Sequence, residues 1–175
     1  MAKTWNQEAA IRGALRRTFS RSPVIREVLF KVRREVPKYN KDGSRAKKDA
    51  VQYRCNVCQT YVGSTKVSVD HISPVVDVQQ GFVDFNTFIQ RLFCDATNLQ
   101  VICDGCHNTK TQAERIARLT LQYDRELTEL EAQVKAKTLS KAEALKTLKK
   151  YLAKKKTPGL DPVVQRALSI QDNLT

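Results

Sequence analysis

Apolar positions along the chain follow helical spacing at both ends and alternate in the middle. Thr4 followed by Gln7 reads as a capping box that opens a helix through about Phe19. Ser22-Pro23 supplies a second N-cap with proline at the first helical position. Ile25, Val28, Leu29, Val32 and Val36 then recur at helical intervals until Pro37 ends the run. Residues 38–50 are polar and basic with an Asp42-Gly43 turn signal, and read as a mobile loop. The period changes after Cys55. Lys66-Val-Ser-Val-Asp-His-Ile alternates with period two and predicts a strand that ends at Asp70-His71, helped by Pro74. Val83, Phe85, Phe88, Ile89, Leu92 and Phe93 predict a short helix after Asp84 as N-cap, and 98–102 predicts the partner strand. In the last third, Ile116, Thr120, Tyr123, Leu127, Leu130 and Val134 alternate steps of four and three, a seam of coiled-coil type. Ser140 with Glu143 is another capping box, opening a helix with Leu145, Leu148 and Leu152 on one side. Pro158-Gly159 ends that helix, and a last short one is expected near Pro162–Leu168. The two helices joined at 137–140 form either a hairpin on the core or a dimer seam.

Composition narrows the class. The chain has 175 residues, is 41% hydrophobic and contains only 6 glycines and 5 prolines, which argues against an all-β sandwich or a disordered chain. No apolar run approaches the ~18 residues a membrane span needs. The opening Met-Ala-Lys-Thr-Trp-Asn-Gln-Glu lacks the apolar stretch of a secretory signal, so a cytoplasmic protein with no membrane partner is expected. Net charge is +13, unevenly spread. Residues 1–54 hold 15 Lys/Arg against 5 Asp/Glu, residues 55–110 hold 3 against 5, and residues 111–175 hold 13 against 8. An acidic centre between basic flanks suits a cation site approached by a polyanion. Arg16, Arg17, Arg33, Arg34, Lys38, Lys47 and Lys48 are therefore candidate nucleic-acid contacts, whereas the C-terminal lysines read equally well as solvated helix faces.

The chemistry is concentrated between Cys55 and Lys110. Cys55-x-x-Cys58 and Cys103-x-x-Cys106 offer four thiolates, a complete tetrahedral set for one zinc, separated by 44 residues. The competing reading, disulfides or a redox pair, is disfavoured in a chain with no export signal. A site closed by four thiolates has no open position, so this zinc is structural, and the spacer would have it tie together the ends of a β-hairpin. Cys94, flanked by apolar residues, reads as core packing. Asp70, His71 and His107 remain, and the chain has no other histidine. A hard cation on one carboxylate and one imidazole keeps positions open for water and phosphate oxygens. A second, unligated histidine beside it can take a proton from an attacking water near neutral pH.

Asp70-His71, Asn98 and Cys103-x-x-Cys106-His107-x-x-Lys110 together resemble the HNH endonucleases, and the paired C-x-x-C motifs resemble their zinc-stapled subgroup. The segment Gly81-Phe-Val-Asp-Phe-Asn-Thr-Phe-Ile-Gln-Arg-Leu-Phe-Cys94 is similar to an insertion found in HNH proteins of tailed bacteriophages. The resemblance spans roughly 50–115. It implies an α+β fold, with a small ββα-metal, treble-clef-like, zinc-stapled core between N- and C-terminal α-helices, predominantly helical overall. The chain then divides into a basic helical arm (1–50), a nuclease core (51–115) and a helical C-terminal region (116–175). By the same resemblance, His71 is the general base, Asp70 and His107 hold one Mg²⁺ or Mn²⁺, and Asn98 braces the hairpin and orients His71. Lys110 is either a phosphate contact or a solvated helix lysine. The implied activity is hydrolysis of DNA phosphodiester bonds by one metal and a histidine base, in a host bacterial cytoplasm if the protein is phage-encoded. Nicking and double-strand cutting, and homing, packaging, defence and host-DNA degradation, are equally compatible. Two other readings stand beside it: a non-catalytic zinc-stapled DNA-binding or regulatory module, and a phage assembly factor recruited to a packaging motor, or to a second copy, through the C-terminal helices.

Overall fold

The computed structural model describes residues 5–174. Among these, helices alternate with two small antiparallel sheets, and the chain divides into two compact units, Met1–Lys110 and Thr111–Thr175. No helix among the described residues is long and apolar enough to cross a membrane.

The first unit opens with α1 (Gln7–Phe19) and α2 (Pro23–Lys31). Asn6 caps α1, its side chain accepting from Ala9 N at 2.9 Å; the Thr4 half of the expected capping box lies outside the described residues. Pro23 begins α2 as expected, but Ser22 makes no side-chain cap bond and the helix stops five residues short of Val36. Instead β1 (Arg33–Val36) pairs antiparallel with β2 (Ala50–Arg54), Arg33 opposite Tyr53 and Val36 opposite Ala50. A spacing of four between Val32 and Val36 is a multiple of two as well as a helical step. The cross-strand ladder decided between the two, because it gives these backbone groups non-local partners. The 38–50 stretch, expected as a mobile loop, closes on itself. Tyr39 bridges Arg45, Asn40 N donates to Ser44 O at 2.8 Å, and Gly43 takes the left-handed conformation (φ +83°) at the predicted turn. β3 (Tyr61–Gly63) completes a sheet in the order β1-β2-β3.

The one β-hairpin the sequence predicts is present. β4 (Val67–His71) pairs antiparallel with β5 (Leu99–Cys103), Val67 opposite Cys103 and His71 opposite Leu99. Between them α3 (Phe85–Leu92) begins after Asp84, whose carboxylate accepts from Thr87 N at 2.8 Å. Phe19 of α1, Val28 of α2, Phe88 and Leu92 of α3, and Leu99 and Val101 of β5 form one buried core. Each large side chain so buried contributes ~1.5–3 kcal/mol. The basic N-terminal helices are thus built into the same core as the hairpin they flank.

α4 (Asp104–Lys135) follows β5 directly, and its later turns belong to the second unit with α5 (Lys141–Leu152) and α6 (Asp161–Leu174). Both halves of the Ser140–Glu143 capping box are made. Tyr123, Leu127 and Leu130 of the α4 seam are buried with Ala144, Leu148 and Tyr151 of α5 and Val163 and Ala167 of α6. Within the chain the seam therefore already has an apolar partner. α6 runs six residues beyond the expected Leu168, with Ile170 buried in the same core.

Candidate functional site

Cys55 and Cys58 lie in the turn joining β2 to β3, and Cys103 and Cys106 lie where β5 passes into α4. Their sulfurs all lie within 4.8 Å of one another. Zinc–sulfur bonds of about 2.3 Å in a tetrahedron set sulfurs about 3.8 Å apart, and Cys58 Sγ is 3.8 Å from Cys103 Sγ. The four cysteines can hold a structural metal such as zinc. The cysteine cluster joins one sheet to the other, where the expectation had it tie the ends of a single hairpin. Local hydrogen bonds pre-form the turn. Cys55 N donates to Thr60 O at 2.9 Å, Gln59 N to Cys55 O at 3.0 Å, and Gln59 takes φ +61°. Asn56 docks on β5 by its own main chain and side chain, donating N–H to Val101 O at 2.7 Å and accepting from Val101 N at 2.8 Å.

The thiols share protons unequally. Hydrogen bonds from the Thr60 side chain and then its backbone lower Cys58 to about 6. Burial pushes Cys55 upward, but backbone N–H donors, Cys58 and Cys103 first, outweigh it and leave it below the usual thiol range. Cys106 is pushed up to about 12, first by its hydrogen bond to Cys103 and then by burial. A cation among these sulfurs replaces the remaining protons. Cys94 lies apart, packed against the first unit's core, and burial raises its thiol, as its apolar flanks suggested.

A cleft of about 600 Å³ opens beside the hairpin, and Asp70, His71 and His107 all line it, with Arg16, Phe19 and Tyr53. His71 is the last residue of β4 and His107 lies in the first turn of α4. His71 Nε2 lies 2.9 Å from the Leu92 carbonyl oxygen at the end of α3. A carbonyl only accepts, so Nε2 carries the proton and neutral His71 keeps its lone pair on Nδ1. The Phe19 ring, centred 5.2 Å from the imidazole, supports its other side. Asn98 precedes β5 and clamps the chain after β4. Its carbonyl oxygen accepts from Ile72 N at 2.8 Å and its Oδ1 from Ser73 N at 2.9 Å.

Asp70 is more heavily engaged than its motif suggested. Oδ2 accepts from Gln100 Nε2 at 3.1 Å and from Lys110 Nζ at 2.5 Å, and Lys110 Nζ also donates to the His71 carbonyl oxygen. Lys110 is therefore neither a solvated lysine nor directed only to a phosphate. The sequence pattern assigns no site role to Gln100 or to the Leu92 carbonyl. Gln100 is legible once the register is known, because it faces Asp70 across the hairpin. The Leu92 carbonyl carries no side-chain signal.

The candidate DNA contacts separate by position. Arg16 lines the cleft, while Arg17 is exposed on α1. Arg34 donates to Gln52 Oε1 and lies over the Tyr61 ring, 3.4 Å from its centroid. Arg33, Lys47 and Lys48, with Arg45, line a second groove of about 480 Å³. Arg33 pairs with Glu35 and Arg45 with Asp49, so Lys47 and Lys48 give the groove its excess charge. Lys38 is exposed at the start of the neighbouring turn. Searches against protein families, curated proteins and solved structures found no match.

Proposed function

We propose that the first unit is an HNH-type, metal-dependent DNA endonuclease with β4, β5 and the start of α4 as its ββα-metal core. The observation that supports this reading is the His71–Leu92 hydrogen bond, which engages Nε2 and leaves Nδ1 as the ring's acceptor on a residue that lines the same cleft as Asp70 and His107. His71 takes a proton from the attacking water at Nδ1. Asp70 and His107 hold a divalent cation, Mg²⁺ or Mn²⁺. When bound, that cation neutralises the phosphate and the departing 3′ oxygen. Asn98 holds the backbone after His71, so the imidazole keeps its aim. The four cysteines bind a structural zinc that fixes the start of α4, and with it His107. The DNA backbone approaches along β2. Val51 lines the Lys47–Lys48 groove and Tyr53, two residues on and hence on the same face, lines the cleft.

Supercoiled plasmid incubated with the zinc-loaded protein and Mg²⁺ or Mn²⁺ is expected to be nicked or linearised, and His71→Ala to abolish cleavage while DNA affinity and zinc content stay unchanged. Intact plasmid across neutral pH overturns the reading. A second reading, a zinc-stapled DNA-binding module without catalysis, draws on the Lys110 ammonium, which already neutralises Asp70. It predicts tight DNA binding that neither divalent cation nor His71→Ala alters.

A further inference from the structure

The candidate cation position already holds a positive charge. Lys110 lies three residues beyond His107 on α4, and its Nζ meets two oxygens at once, Asp70 Oδ2 and the His71 carbonyl. An ionised carboxylate oxygen beside a backbone carbonyl oxygen is the donor chemistry hard divalent cations take. The pair is largely covered, with side-chain exposures of 25% for Lys110 and 19% for Asp70, so bulk water and salt screen it poorly. Gln100 donates to the same Oδ2, so any newcomer to that oxygen must replace Lys110 or share with it. An ammonium and a dication cannot share one carboxylate oxygen without strong mutual repulsion.

Building on the hydrolytic reading of the cleft, we propose that Lys110 is a positioning residue that competes with the divalent cation for Asp70. In the metal-free state its ammonium neutralises Asp70 and holds the end of β4 against α4. Binding of Mg²⁺ or Mn²⁺ at Asp70 Oδ2 displaces the ammonium from that oxygen, and its flexible stem lets the charge move into the cleft. A phosphate there offers the displaced ammonium a new partner, so metal and polyanion favour each other's binding. Lys110 thereby keeps metal affinity low until substrate is present.

Calorimetric titration of Mn²⁺ into the zinc-replete full chain tests this directly. Lys110→Met, which keeps the stem and removes the charge, is expected to bind Mn²⁺ about tenfold tighter than wild type, the scale of one partly buried ion pair. Lys110→Arg, which keeps the charge, is expected to retain the weak affinity. Damage to the fold weakens binding and cannot produce tightening. Should Lys110→Met lose its native circular dichroism, Lys110→Gln takes its place with the same expectation. Unchanged or weaker binding in a folded, uncharged variant, with plasmid still cut by wild type, overturns the competition alone. Tightening with plasmid left intact supports the competition and overturns the nuclease reading. No Mn²⁺ binding to any of the proteins overturns both.

Discussion

The Asn98 side chain accepts from Ser73 N while its own carbonyl accepts from Ile72 N, so one residue fastens the two positions that follow His71. Asn98→Ala removes only the side-chain half. That half comprises two bonds to Ser73, from its N–H at 2.9 Å and to its carbonyl oxygen at 3.4 Å, each worth ~1 kcal/mol or less, a loss urea denaturation will register as a shift in midpoint. Cleavage is expected to fall much further than that, with DNA affinity retained, because the imidazole loses its fixed approach. An equal fall in affinity and cleavage would make Asn98 a folding residue only. At this scale the sequence was legible where chemistry resides in side chains: Cys55, Cys58, Cys103 and Cys106 are grouped as their spacing implied, and Asp70, His71 and His107 line one cleft. It was silent on the Leu92 carbonyl, because every residue has one, and on the partner of Lys110, which α4, running on from β5, carries to Asp70.

Elements whose pattern fits only one period were legible, and those fitting two were not. β4 alternates strictly and α5 opens on a complete capping box, and both formed where expected. Val32 and Val36 satisfy helix and strand alike, and pairing with β2, beyond the whole basic turn, settled the matter. The three-residue β3 is too short for any periodic signal. In the second unit, α4 and α5 are joined by a polar knot. Glu126 accepts from Lys150, Gln122 and Tyr151, and those bonds, Lys150 first, lower its carboxyl from 4.5 to about 2. A depressed carboxyl pKa stabilises the fold above its unfolded value and ceases to do so as pH falls through the folded one. Stability contributed by Glu126 is therefore expected to be complete above about pH 4.5 and lost by about pH 2. Glu126→Gln should flatten that segment of a melting-temperature profile against pH. A wild-type slope that persists in the variant assigns the acid sensitivity to other carboxylates.

For the whole molecule, charge placement and the metal staple carry the remaining predictions. Replacing Lys47 and Lys48 together by glutamine removes the groove's excess charge. The slope of log affinity for duplex DNA against log salt should then shrink by about 2, near one unit for each phosphate no longer neutralised. An unchanged slope would place the backbone track elsewhere. Removing the proposed zinc with a strong chelator is expected to loosen the first unit, whose two sheets the four cysteines bring together. The second unit should keep its helical circular dichroism and its own thermal transition, because Tyr123, Leu127, Leu148 and Val163 form a separate core. A single transition unaffected by the chelator would contradict both halves of that expectation. The Asn56 bonds to Val101 give the staple a second consequence. β4 occupies one side of β5, and the cysteine turn, through Asn56, occupies the other. The turn thus covers a sheet edge that would otherwise present unpaired N–H and C=O groups along Leu-Gln-Val-Ile-Cys, an apolar, uncharged strand. Metal loss is expected to leave those two Asn56 bonds alone to hold the turn on that edge, so that it opens more readily to pair with another chain. Demetallated protein should therefore scatter light and bind amyloid-type dyes well before it unfolds, so the staple guards solubility as well as geometry.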